Sequence, residues 1–158
     1  MSNLQADGSW GPATWIPELT STSPDNRPSL RRDGLEIFFY SGREPRQAGS
    51  TAGSADLWTA TRPSVDKPWS APVNVGATVN SINNDIHPSL SSDGRTLVFA
   101  STRLGGSGNS DLYTTTRAQV LPSTKDDCKN GAWDRFGIFK NQGDCVSYIA
   151  TQGGNQPG

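Results

Sequence analysis

Two short segments set a carboxylate beside a basic side chain at a spacing suited to ligand contact: Asp25 with Arg27, and Asp85 with His87. Alternate residues of an extended chain share a face, so each pair would project together. His87 is the only histidine, and one imidazole beside one carboxylate falls short of the three or four ligands of a zinc site. These four residues are the candidate ligand contacts, and no metal is expected among them. A second set recurs: Ser41 and Arg43 with Asp56, then Ser101 and Arg103 with Asp111. An arginine leaving one strand and an aspartate opening the next predict a charge-assisted clamp across the intervening loop. A catalytic group is needed once, so its appearance in both copies reads as scaffold.

Nucleophilic chemistry finds no support. The chain has many serines but no Gly-x-Ser-x-Gly elbow. The glycine-rich stretches 42–54 and 103–110 match neither a Walker nor a dinucleotide pattern, and neither opens a helix. Carboxylates are sparse outside turns, so no glycosidase pair stands out, and the sequence calls for no catalytic residue and no cofactor. Trp10, Trp15, Trp58 and Trp69 have the chemistry to stack on sugars, but aromatics at repeated positions are expected to pack between structural units.

The elements that must carry these residues come in duplicate. RPSLRRDGLEIFFYSGR (27–43) returns as HPSLSSDGRTLVFASTR (87–103), offset by 60 residues. A further block, Asp56-Leu57-Trp58 with Arg62, returns as Asp111-Leu112-Tyr113 with Arg117, offset by 55. Asp33-Gly34 and Asp93-Gly94 are turn signals, the aspartate accepting a nearby backbone N–H and the glycine supplying positive φ. Short β-branched and aromatic runs flank them. We therefore expect strand a (28–30), strand b (35–40), strand c (57–60) and strand d (69–75). Strands a, b and c recur at 88–90, 96–100 and 112–115, and 10–16 echoes strand d ahead of both copies. Four-stranded antiparallel units in tandem are propeller blades, and a repeat of this length does not bury its apolar face alone. A sandwich of seven strands gives no reason for the block to recur.

Composition agrees with thin sheets: 32% of residues are hydrophobic and the mean hydropathy is −0.59. A formal charge of −1 argues against a nucleic-acid footprint, and no apolar run is long enough to span a membrane. The N-terminus shows no signal-peptide pattern. Cys128 and Cys145 stand alone in a polar, glycine-containing tail, which predicts a disulfide and an oxidising compartment. Trp133, Phe136 and Phe139 between them would form a small core, and 142–151 a short helix. The missing leader and the disulfide are reconciled if the chain is a fragment or starts at a misplaced Met1.

The block HPSLSSDGRTLVFASTR, a Gly-Gly loop and SDLYTTTR resembles the TolB-type, WD-repeat-like propeller repeat common in bacterial envelope and secreted proteins. The resemblance covers about residues 10–117. It implies an all-β fold of two four-stranded antiparallel blade units (10–62 and 69–117) in a segment 1–122, followed by a cysteine-bounded tail at 123–158. That tail resembles segments ending many secreted actinobacterial proteins. Ser-x-Asp-Gly at 91–94 also resembles a sialidase-type Asp box, a motif of the rim. The resemblance implies six or more blades per ring, where this chain has two, so three copies completing a ring is one expectation. In a propeller the innermost strand faces the channel, which is where Asp25, Arg27, Asp85 and His87 would stand. The function expected is a non-enzymatic binding or assembly module, secreted or in the cell envelope, holding a protein or glycan. The alternative is the C-terminal part of a propeller-bearing peptidase or glycosidase.

Overall fold

The computed structural model describes residues 6–118 and 121–154. Seven strands form two antiparallel sheets. The first is a meander of β1 (Asp25–Leu30), β2 (Glu36–Ser41), β3 (Asp56–Thr61) and β4 (Val73–Asn74), in that order across the sheet. The second contains β5 (Asp85–Leu90), β6 (Thr96–Ser101) and β7 (Asp111–Thr116), and has no fourth strand among the described residues. The chain is thus all-β in its first three quarters, with two unequal sheets rather than two four-stranded units.

Each a–b hairpin turns at its Asp-Gly pair. Asp33 accepts the Leu35 N–H and Asp93 the Arg95 N–H, while Gly34 and Gly94 adopt φ of 72° and 69°. The first strand of each sheet starts earlier than Pro-Ser-Leu suggests, at Asp25 and Asp85. Between Asn26 and Ser29, and again between Ile86 and Ser89, the pairing slips in a bulge. The bulge spares Pro28 and Pro88 a ladder bond that they have no N–H to make.

The two faces of the first sheet have different fates. Ile37, Phe39, Trp58, Ala60 and Trp69 form one core with Leu19, partly closed by Ile16. On the opposite face Phe38 and Leu57 pack with Val79, Leu97 and Phe99, so the second sheet lies against the first. β1 and β5 are neighbours, and Ser29 Oγ accepts the Leu90 N–H at 2.9 Å. Glu36 of β2 takes both Arg117 nitrogens, at 2.7 and 2.6 Å, tying the two sheets at their lower end.

Residues 11–16, expected as an outlying strand d, form no helix or strand, and Trp10 makes a lone bridge. The exposed edge of β3 is already taken by β4, so the first sheet has no place for them. Trp58 and Trp69 are buried, but in the core on the face of the first sheet turned away from the second, and Trp10 and Trp15 are exposed, so none of the four packs between the sheets as expected.

In the tail, Cys128 and Cys145 form a disulfide, and Phe136 and Phe139 are buried beside it, with Trp133 partly covered. Helix α1 (Gln142–Ala150) is capped by Asn141, whose side chain accepts the Asp144 N–H. The tail rests on the a–b turns. Arg32 pairs with Asp134 at 3.4 Å, and Gly137 lies so near Asp93 that a Cβ there would sit 2.7 Å from its Cα. No described helix is long and apolar enough to cross a membrane.

Candidate functional site

Antiparallel order gives the sheets two ends. The lower end has the a–b turns and the tail. The upper end has the b–c loops and the segments 75–84 and 20–24 that lead into β5 and β1. All four candidate ligand contacts lie in the upper halves of β1 and β5, and the structure divides them.

Asp25 and Asp85 are turned into the fold. The Arg43 guanidinium reaches Asp25 Oδ1 and the Leu19 carbonyl, and Arg103 repeats this on Asp85 Oδ1 and the Val79 carbonyl, both at 2.6 Å. Each arginine is seated by its own serine: Arg43 Nε donates to Ser41 Oγ at 3.2 Å, and Arg103 Nε to Ser101 Oγ at 2.9 Å. Aromatic rings close the fork, Phe39 and Trp58 beneath Arg43, Phe99 and Tyr113 beneath Arg103. The second carboxylate oxygen takes N–H and hydroxyl donors from Ser21 in one copy and Ser81 in the other. Burial raises the Asp25 pKa, but the bonds from Arg43, Ser41 and Ser21 outweigh it and hold the carboxyl below its ordinary value.

The clamp is real, but its partners differ from those expected. Arg43 and Arg103 grip the aspartates that open the first strand of each sheet, not Asp56 and Asp111. Asp56 is fully buried and accepts from Asn74 Nδ2 at 2.7 Å and from the Gln47 N–H. Its Oδ1 meets no hydrogen-bond partner, and burial raises its pKa above the usual carboxylate value. Asp111 is half-buried and accepts the Gly108 N–H at 3.3 Å. The two diverge because Asn74 belongs to β4, which has no counterpart in the second sheet among the described residues.

Arg27 and His87 face the other way. Both are exposed, both sit in the bulge of their strand, and both hold positive φ, 52° and 55°. A residue preceding proline is steered toward extended backbone, and a left-handed non-glycine residue costs about 1 kcal/mol. The bulge therefore holds two long polar side chains out of the ladder in conformations that neither residue prefers. Across the junction, the His87 ring packs on Tyr40, centroids 5.6 Å apart. Tyr40, partly buried on β2, is the member of this group that the repeat did not single out, since its counterpart is Ala100. Arg27 and Ser29 of β1, Tyr40 of β2 and His87 of β5 thus form a polar and aromatic strip across three neighbouring strands.

Among the described residues, no group of three or more His, Cys, Asp or Glu side chains could hold a metal ion. No family model matches the chain, and no curated protein matches it.

Proposed function

We propose that this chain is a non-enzymatic binding module of TolB-like, WD-repeat-like kind, whose sheets are two blades of a propeller-type architecture. Its ligand is a protein or glycan segment with acidic groups, received along the strip that contains Arg27, His87 and Tyr40. Two sheets packed face to face with their first strands adjacent is the relation that neighbouring blades adopt, which supports the blade reading. The observation that carries the ligand reading is the matched strain. The same bulge position in both copies keeps an exposed basic side chain at positive φ, where glycine would be easier. Structure alone does not call for arginine and histidine there. The Cys128–Cys145 disulfide supports an oxidising setting, secreted or in the cell envelope.

The double variant Arg27→Gly/His87→Gly separates scaffold from function. It relieves the left-handed strain and removes both basic side chains, so its melting temperature should hold or rise. Photocrosslinking from residue 26, together with glycan arrays, would identify the ligand of the parent chain. Adducts and array signals should disappear in the double variant. Unchanged capture by a folded double variant would refute the assignment.

A further inference from the structure

The chain presents both halves of its own inter-sheet junction a second time, unpaired. At the internal junction, Phe38 and Leu57 of the first sheet are 6% and 0% exposed under the second sheet. Their counterparts on the second sheet, Val98 and Leu112, are 37% and 78% exposed. The other half is open too. Leu90 and Val75 pack into the internal junction, whereas their counterparts 60 residues earlier, Leu30 and Trp15, are 49% and 75% exposed. The hydrogen bond repeats in potential: Ser29 Oγ accepts the Leu90 N–H, and Ser89 is an exposed hydroxyl in the same place on the second sheet.

The second sheet also keeps an edge. β4 pairs Val73 with Thr59 and Asn74 with Trp58, whereas β7, whose Tyr113 and Thr114 correspond to these partners, is followed by no fourth strand among the described residues. The segment 15–19, which stands 60 positions before 75–79, covers the first sheet as 75–79 covers the second.

We infer that a second copy of this chain docks head to tail: the open face of the second sheet receives the first sheet and residues 15–19 of the next copy. The contact is heterologous, so it propagates to a closed ring or a filament rather than stopping at a symmetric dimer. A formal charge of −1 sets little repulsion against it. It also lacks the ion pair of the internal junction. Glu36, which binds Arg117 inside the chain, has Thr96 as its counterpart, so the docking contact should withstand salt.

Sedimentation velocity on the 158-residue chain tests this. At about 100 µM, above the micromolar range of modest apolar interfaces, the parent should sediment as species larger than its monomer. Leu112→Glu and Leu30→Glu each alter one exposed residue, so both should fold, as circular dichroism would verify. Each alone should weaken association at least about 30-fold. An equimolar mixture of the two should recover a one-to-one dimer and nothing larger, because one intact face of each kind remains. A monomeric parent would overturn the inference. So would association untouched by Leu112→Glu, or a mixture that stays monomeric.

Discussion

Residues that act together in this fold share a sequence offset. Asp25, Ser41 and Arg43 all return 60 positions later, as do Ser21 as Ser81 and the carbonyls of Leu19 as Val79, and these atoms make the clamp. Asp56 returns at 55, beyond a loop of different length, and lies outside the clamp. Proximity in sequence pointed to Asp56 as the partner of Arg43, whereas the common offset was the better guide, because groups within one rigid unit keep their spacing when the unit is copied. Asp56 is instead a buried carboxylate with one oxygen unmet. Its folded pKa is raised above the ordinary 3.8, first by burial, so the folded state binds its proton more readily than the unfolded chain does. The cost of that charge is absent below pH 3.8 and grows as pH rises through the folded pKa. Asp56→Asn keeps one acceptor for Asn74 and Gln47 and removes the charge. At pH 7 its melting temperature should equal the parent's or exceed it by up to about 4 °C, with the gap closing near pH 4. A lower melting temperature at pH 7 would show that the carboxylate earns a partner in solution.

At the scale of elements, the strands were readable because their turns were: two Asp-Gly pairs fixed both a–b hairpins, and alternation did the rest. The bulges were not, since Arg27-Pro28 and His87-Pro88 look like ordinary starts of strands, and only the pairing shows the slip. Nor does sequence tell whether an echo such as 10–16 finds an edge to join. The tail is a different kind of element. Its core is four buried residues, two of them the disulfide, and it meets the sheets chiefly through Asp134 and Gly137. A cross-link closing a loop of this length contributes about 3 kcal/mol. With Cys128→Ser/Cys145→Ser, hydrogen exchange should accelerate roughly 100-fold in α1, while amides of β2, β3 and β6 keep their protection. Equal loss in those central strands would mean that the tail is part of the sheets' own stability.

The whole molecule depends on one internal junction, and its apolar part is small. Phe38, Leu57, Val79, Leu97 and Phe99 fill it, and the lower end is bolted by Glu36, which is buried and shared between Arg117 and Arg31. The Glu36 bond in turn raises the Arg117 pKa. Removing one partner of such a pair costs more than the pair contributes, since the remaining charge loses its compensation. Arg117 is 43% exposed, so water recovers part of that loss and about 1–3 kcal/mol remains for Glu36→Gln. The loss falls on the contact between the sheets rather than within either one. No tryptophan lies in the second sheet, whereas Trp58 and Trp69 are buried with the first. In urea the parent should unfold as one unit, with tryptophan fluorescence and far-ultraviolet circular dichroism coinciding. In Glu36→Gln the dichroism should fall first, as the second sheet melts away from a first sheet whose indoles remain covered. Coincident curves shifted together would place the cooperativity in the apolar contact alone and assign the ion pair a merely additive share.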